Sequence, residues 1–108
     1  MSNSIFLHGA LDLLILRVLR EESRHGWAIS QRIRRVSGDA LDVNQGSLYP
    51  ALHRLERRGW IADEWGTSEN NRSAKFYRLT SAGRAQLDEQ TAGWREFAGA
   101  VQRVLQHA

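Results

Sequence analysis

Cysteine is absent from the 108 residues, which excludes a disulfide framework, a thiolate metal site and a cysteine nucleophile. Lysine is nearly absent: Lys75 is the single one among 15 basic residues, so arginine carries the positive charge. No run of about 18 apolar residues occurs, so no segment is expected to span a membrane. Met1 to Ser4 holds no basic residue ahead of the apolar run that starts at Ile5, and His8 and Asp12 interrupt that run. The segment reads poorly as a signal peptide, and the expected compartment is a reducing cytoplasm.

A catalytic constellation is also missing. The four histidines, His8, His25, His53 and His107, do not pair at i, i+4, and no carboxylate cluster accompanies them. A metal site is therefore not expected. Serines and aspartates are scattered with no histidine base in a recognisable order. Asp63 and Glu64 are adjacent in a segment that reads as a strand, so they face opposite sides and cannot work as a paired acid and base. The sequence calls for no enzyme activity and no cofactor.

What is present fits one compact domain. A 42% hydrophobic and 25% charged composition is that of an ordinary globular protein. A chain this short buries about two-thirds of its unfolded surface, so a long helix outside the core needs a partner to cover it. The net charge of +3 is small, but its placement matters more. Arg54, Arg57, Arg58 and Arg72 cluster mid-chain with Lys75, and arginine forks suit phosphate and guanine edges.

Periodicity predicts a mainly α fold with a small β-hairpin. Leu11, Leu14, Ile15, Val18 and Leu19 fall on one face of a first helix from about Gly9 to Glu21. Leu13 and Leu16 widen that face, so the helix should pack against its own core and a partner. After the turn Ser23-Arg24-His25-Gly26, a second helix runs from about Trp27 to Val36 with Ile29, Ile33 and Val36 inward. Gly38 suits a left-handed stop. Ala40 to Gly46, with Leu41 and Val43 alternating with Asp42, reads as a short extended piece. This link is longer than that of the simplest helix-turn-helix and favours a winged variant.

The third helix is expected to start with Ser47 as its N-cap and to hold Pro50 in its first turn, where a missing N–H costs nothing. Leu48, Ala51, Leu52 and Leu55 form its buried stripe, and Gly59 stops it after Arg57-Arg58. Tyr49, Pro50, His53, Arg54 and Arg57 are left outward. Trp60 to Trp65 and Lys75 to Leu79 read as strands joined by a long polar tip, Gly66 to Ala74. Thr80 or Ser81 caps a last helix reaching about Leu105. Leu87, Trp94 and Val101 repeat every seven residues, and Phe97 and Val104 follow three positions later, an a/d-like seam. Residues 1–80 thus read as a winged-helix unit and 81–108 as a dimerisation helix, with Leu11, Leu87, Trp94, Phe97, Val101 and Val104 at the dimer seam.

Four blocks, His25-Gly26-Trp27-Ala28-Ile29, Gly46-Ser47-Leu48-Tyr49-Pro50, Leu52 to Gly59 and Tyr77 to Gly83, resemble the PadR family of bacterial transcription regulators in order and spacing. The resemblance covers about Gly9 to Arg84. It implies a winged helix-turn-helix with a C-terminal dimerisation helix, in a family whose members usually repress genes and in some cases release DNA on binding a small molecule. The single C-terminal helix resembles the shorter subgroup. Trp27 departs from the tyrosine more usual there, so Trp27 is left out of the DNA-contact set.

On this reading helix three enters the major groove of double-stranded DNA. Ser47 and Tyr49 bond phosphate or base edges, Pro50 meets a thymine methyl, and His53, Arg54 and Arg57 lie further along. Asn70, Asn71, Arg72 and Lys75 of the wing suit phosphate or minor-groove contact, although Asn70-Asn71 also suits a plain turn. Trp94 and Phe97 read first as dimer core, and alternatively as a pocket for a small aromatic effector. The competing function is a winged-helix protein-interaction module, against which the outward arginines of helix three argue.

Overall fold

Leucine spacing builds the first element. The computed structural model describes residues 4–108, apart from the side chains of Ser4, Ile5 and His8. Residues 1–3 of the amino-terminal stretch that reads poorly as a signal peptide, and the His8 side chain, therefore lie outside the described residues. Helix α1 spans Ser4–Glu21 and starts five residues before the expected Gly9, which is carried inside the helix. Leu11, Ile15, Leu16, Val18 and Leu19 are buried. The helix packs against every later helix and the central strand.

The Ser23 to Gly26 turn is more ordered than the sequence suggests. Arg24–His25 form a two-residue strand, β1. Helix α2, Gly26–Val36, follows with the His25 side chain as its N-cap. Ile29 and Ile33 face inward as expected, but Val36 is exposed because α2 ends there, before its last turn meets the core. Gly38 does adopt positive φ, and the chain turns back through hydrogen bonds from the Gly38 and Asp39 N–H groups to the Arg35 and Arg34 carbonyls.

Ala40 to Gly46 is no strand. Residues 40–44 are an irregular link anchored by buried Val43, and Gln45 and Gly46 already belong to helix α3, Gln45–Arg57. Strands β2, Ile61–Thr67, and β3, Ser73–Leu79, form an antiparallel hairpin in the register Ile61↔Leu79 to Thr67↔Ser73. Both strands reach further than the sequence suggests, which trims the tip to residues 68–72. Strand β1 adds to the free edge of β3, giving the order β1-β3-β2.

Helix α4 covers Ser81–His107, with the Thr80 hydroxyl accepting from the Gly83 N–H at 3.0 Å. A Cβ on Gly83 would collide with the Trp60 carbonyl, so the first turn of α4 rests directly on the strand entry. Leu87 is its one large side chain in the core. Ile15, Leu16, Ile29, Leu48, Leu52, Leu55 and Leu87 are fully buried, each stabilising the fold by about 2 kcal/mol. From Trp94 onward the apolar side chains of α4 leave the core, and the long axis of the molecule reaches 54 Å.

Candidate nucleic-acid interface

The start of α3 differs from the sequence expectation in its cap. Asn44, with extended backbone, accepts from the Ser47 N–H through its Oδ1 at 2.9 Å. Asparagine and serine are both strong N-caps, so local chemistry left the choice open. The chain enters the helix three residues earlier than a serine cap allows. Ser47 is thereby an exposed residue of the first helical turn. Pro50 falls beyond that turn, inside the helix, and cannot donate to the Gly46 carbonyl. Leu48, Ala51, Leu52 and Leu55 are buried as expected, and Pro50, His53 and Arg57 lie on the opposite, solvent face.

Two basic residues expected on the DNA face already have anionic partners. The Arg54 Nη2 donates to Asp12 Oδ1 on α1 at 2.8 Å. Lys75 Nζ lies 2.8 Å from Asp63 and 3.7 Å from Glu56. Burial above all pushes the Glu56 carboxyl up, and the facing Asp63 carboxylate adds to this. Asp63 moves down, held by its hydrogen bond with Glu56 and by Lys75. The bond to Asp63 in turn holds the Lys75 ammonium above its ordinary range. This cluster ties the hairpin to the back of α3. Arg57 and Arg72, in contrast, have no ion-pair partner among the described residues.

The hairpin tip is a closed turn. Ser68 N–H donates to the Arg72 carbonyl at 2.8 Å and Asn71 N–H to the Ser68 carbonyl at 2.9 Å. Asn71 has φ +60, so it carries the left-handed turn position that asparagine tolerates. Asn70, Asn71 and Arg72 all stay exposed.

Between α2, α3 and the hairpin lies a cleft of about 440 Å³ lined by rings: His25, Trp27, Tyr49, His53, Trp65 and Tyr77. His25 holds two elements at once. Its Nδ1 accepts from the Ala28 N–H at 3.3 Å, which leaves the ring proton on Nε2, 3.4 Å from Glu69 of the hairpin tip. The sequence reading passed over Trp65 and His25. Trp65 carried a signal, a large aromatic in a polar strand segment, yet it is 72% exposed on an edge strand, which strand periodicity could not reveal. Burial raises the Tyr77 phenol, whose ring closes the cleft floor.

The expected dimer seam divides in two. Leu11 and Leu87 are only 4% and 1% exposed. They belong to the core of this chain and have no surface to offer a partner. Trp94, Phe97, Val101 and Val104 are exposed along α4. Trp94 and Phe97, their ring centroids 6.3 Å apart, close one side of a second cavity of about 570 Å³, with Phe6, Gly9 and Leu13 of α1 on the other.

A three-helix unit, a hairpin beside its third helix and an added strand β1 define a winged helix-turn-helix. Residues 15–89 match the Transcriptional regulator PadR-like family. The chain is 35% identical over 96 residues to the transcriptional regulator Rv3488 of Mycobacterium tuberculosis, covering 89% of this chain and 86% of that one. Among solved structures it is similar to a transcriptional regulator from Clostridium thermocellum, with a TM-score of 0.82, 26% identity and 91% and 95% of the two chains covered. It is likewise similar to a PadR family transcriptional regulator from Eggerthella lenta, with a TM-score of 0.80, 29% identity and 97% and 90% covered. The chain belongs to the PadR-like family of transcriptional regulators, which implies DNA binding and not catalysis. No helix among the described residues is long and apolar enough to cross a membrane.

Proposed function

We propose that the protein is a cytoplasmic repressor that binds a palindromic operator as a homodimer. The observation that carries this reading is the solvent face of α3, where Pro50, His53 and unpaired Arg57 stand clear of the core with Arg72 at the tip of the neighbouring hairpin. A helix of this width fits the major groove. Ser47, Tyr49, Pro50, His53 and Arg57 are the proposed contacts of α3, and Asn70, Asn71 and Arg72 those of the wing. Arg54 and Lys75 join them only when released from Asp12, Asp63 and Glu56.

The partner-facing surface is the exposed row Trp94, Phe97, Val101 and Val104 of α4. A row of this kind on one side of a helix is costly to leave in water, and a second copy covers it with the same row. Two recognition helices then meet major-groove faces about one helical turn apart. The cavity beside Trp94 and Phe97 is the proposed seat of a flat aromatic effector, its volume being within the range of small-molecule sites.

Fluorescence anisotropy with a duplex from the protein's own upstream region, against a scrambled duplex at two salt concentrations, tests the reading. Tight binding to the first alone, weakening steeply with salt, is the expected result. Equal and feeble binding to both would favour a protein-interaction module.

A further inference from the structure

The ion pair between Asp12 and Arg54 spends a recognition-helix arginine on an internal carboxylate. At 2.8 Å it is a charge-assisted bond, with the two side chains 26% and 42% exposed. Arg54 lies on the flank of α3 toward α1, one turn beyond Pro50 and beside the solvent face that holds His53 and Arg57. A guanidinium fork takes a carboxylate or a phosphate with the same geometry. Asp12 therefore occupies the donors that a backbone phosphate running past this flank would use. Its neighbours on α1 add a second point. Gly9, one turn before Asp12, and Leu13, the next residue, line the cavity against α4. One short stretch of α1 thus touches both the recognition helix and the cavity.

We propose that Asp12 is a positioning residue for DNA binding, whose carboxylate competes with a backbone phosphate for the Arg54 guanidinium and holds affinity below what α3 can reach. The inference rests on the DNA-binding reading above. It makes Arg54 a conditional phosphate contact and not a base reader, because the flank position points it at the groove wall. A shift of α1 at Gly9 and Leu13 stretches the pair and changes how much Arg54 is available, which gives an occupant of the cavity a direct route to the recognition helix. A salt bridge this exposed is modest, so the size of the effect is small and its signature matters more.

The test is anisotropy on the full chain with the upstream and scrambled duplexes across a salt series, for the wild type, D12N, R54A and D12N/R54A. D12N is expected to bind both duplexes about threefold to fivefold tighter. Its slope of log affinity against log salt should steepen by about 0.9, the value of one added phosphate contact. The gain must vanish in D12N/R54A, which should match R54A, and D12E should restore wild-type affinity. Thermal melts of each variant check that the fold is kept. Unchanged affinity and slope in D12N overturn the proposal. So does an equal gain in the R54A background, which would make Asp12 a source of bulk repulsion only. A wild type that binds neither duplex overturns the DNA-binding reading itself.

Discussion

Gly26 and Tyr49 touch so closely that a Cβ on Gly26 would lie 2.7 Å from the tyrosine hydroxyl. The first turn of α2 is thereby the backstop for a ring on α3, and the bare glycine sets where that ring can rest. Gly26→Ala must push the ring aside. Its tip is the free end of a side chain that can rotate, so the expected stability loss in urea unfolding is about 1 kcal/mol. The larger effect falls on operator affinity, by about 1–3 kcal/mol if one DNA contact is lost. Full stability with undiminished DNA binding would remove Tyr49 from the contact set.

Asn44, and not Ser47, closes the start of α3. Asn44→Ala should therefore lower the unfolding free energy by about 1 kcal/mol, the usual value of a lost N-cap. Ser47→Ala should leave the urea midpoint nearly unchanged, since its hydroxyl makes no capping bond, while weakening DNA binding. A reversed order of the two midpoints would restore the serine cap that the sequence suggests.

Glu56 is raised by burial and by Asp63, so its folded state holds a proton more tightly than the unfolded chain does. That contribution is present below the ordinary carboxylate range and is lost as pH rises through the raised folded value. Above that folded value the ionised Glu56 faces the Asp63 carboxylate and is a net cost. Glu56→Gln, whose amide can donate to Asp63 at any pH, should then gain stability over the wild type as pH rises through that value and gain nothing at about pH 3. Asp63 is lowered and runs the other way, its contribution being lost as pH falls through its folded value. Asp63→Asn should be destabilising at neutral pH, as read by melting temperature against pH.

Phe97 and Val104 are 62% and 63% exposed on α4, where neither supports the core. Phe97→Asp and Val104→Asp should each convert a dimer to a monomer in sedimentation velocity, with helicity kept. Leu87→Asp should instead unfold the chain, because Leu87 is buried within it. Dimers that survive both surface changes would move the interface off this row.

The helices were legible because their residues repeat at helical spacing. Leu48, Ala51, Leu52 and Leu55 mark the inner face of α3 through 3.6-residue periodicity alone. Gly59 and Gly38, both at positive φ, mark helix stops in the left-handed region that glycine enters without strain. Strand β1 was not legible. Two residues carry no period, and Arg24 and His25 become a strand only because β3 offers them an open edge.

The candidate site divides along the same line. Sequence determined which residues leave the core of α3, since a buried stripe fixes its opposite face, and it placed a polar turn within Gly66 to Ala74, where asparagine tolerates the left-handed position that Asn71 takes. That the turn narrows to residues 68–72 was decided by the strand pairing. Sequence could not assign partners. Arg54 and Asp12 are 42 residues apart, and Lys75 meets Glu56 only after the hairpin folds onto α3. Nor could it separate Leu87, which the core swallows, from Trp94 on the same seven-residue repeat, which the core is too small to reach. Periodicity is a property of one helix, whereas charge pairing and burial depend on what the rest of the chain brings alongside, and only the tertiary structure decided those.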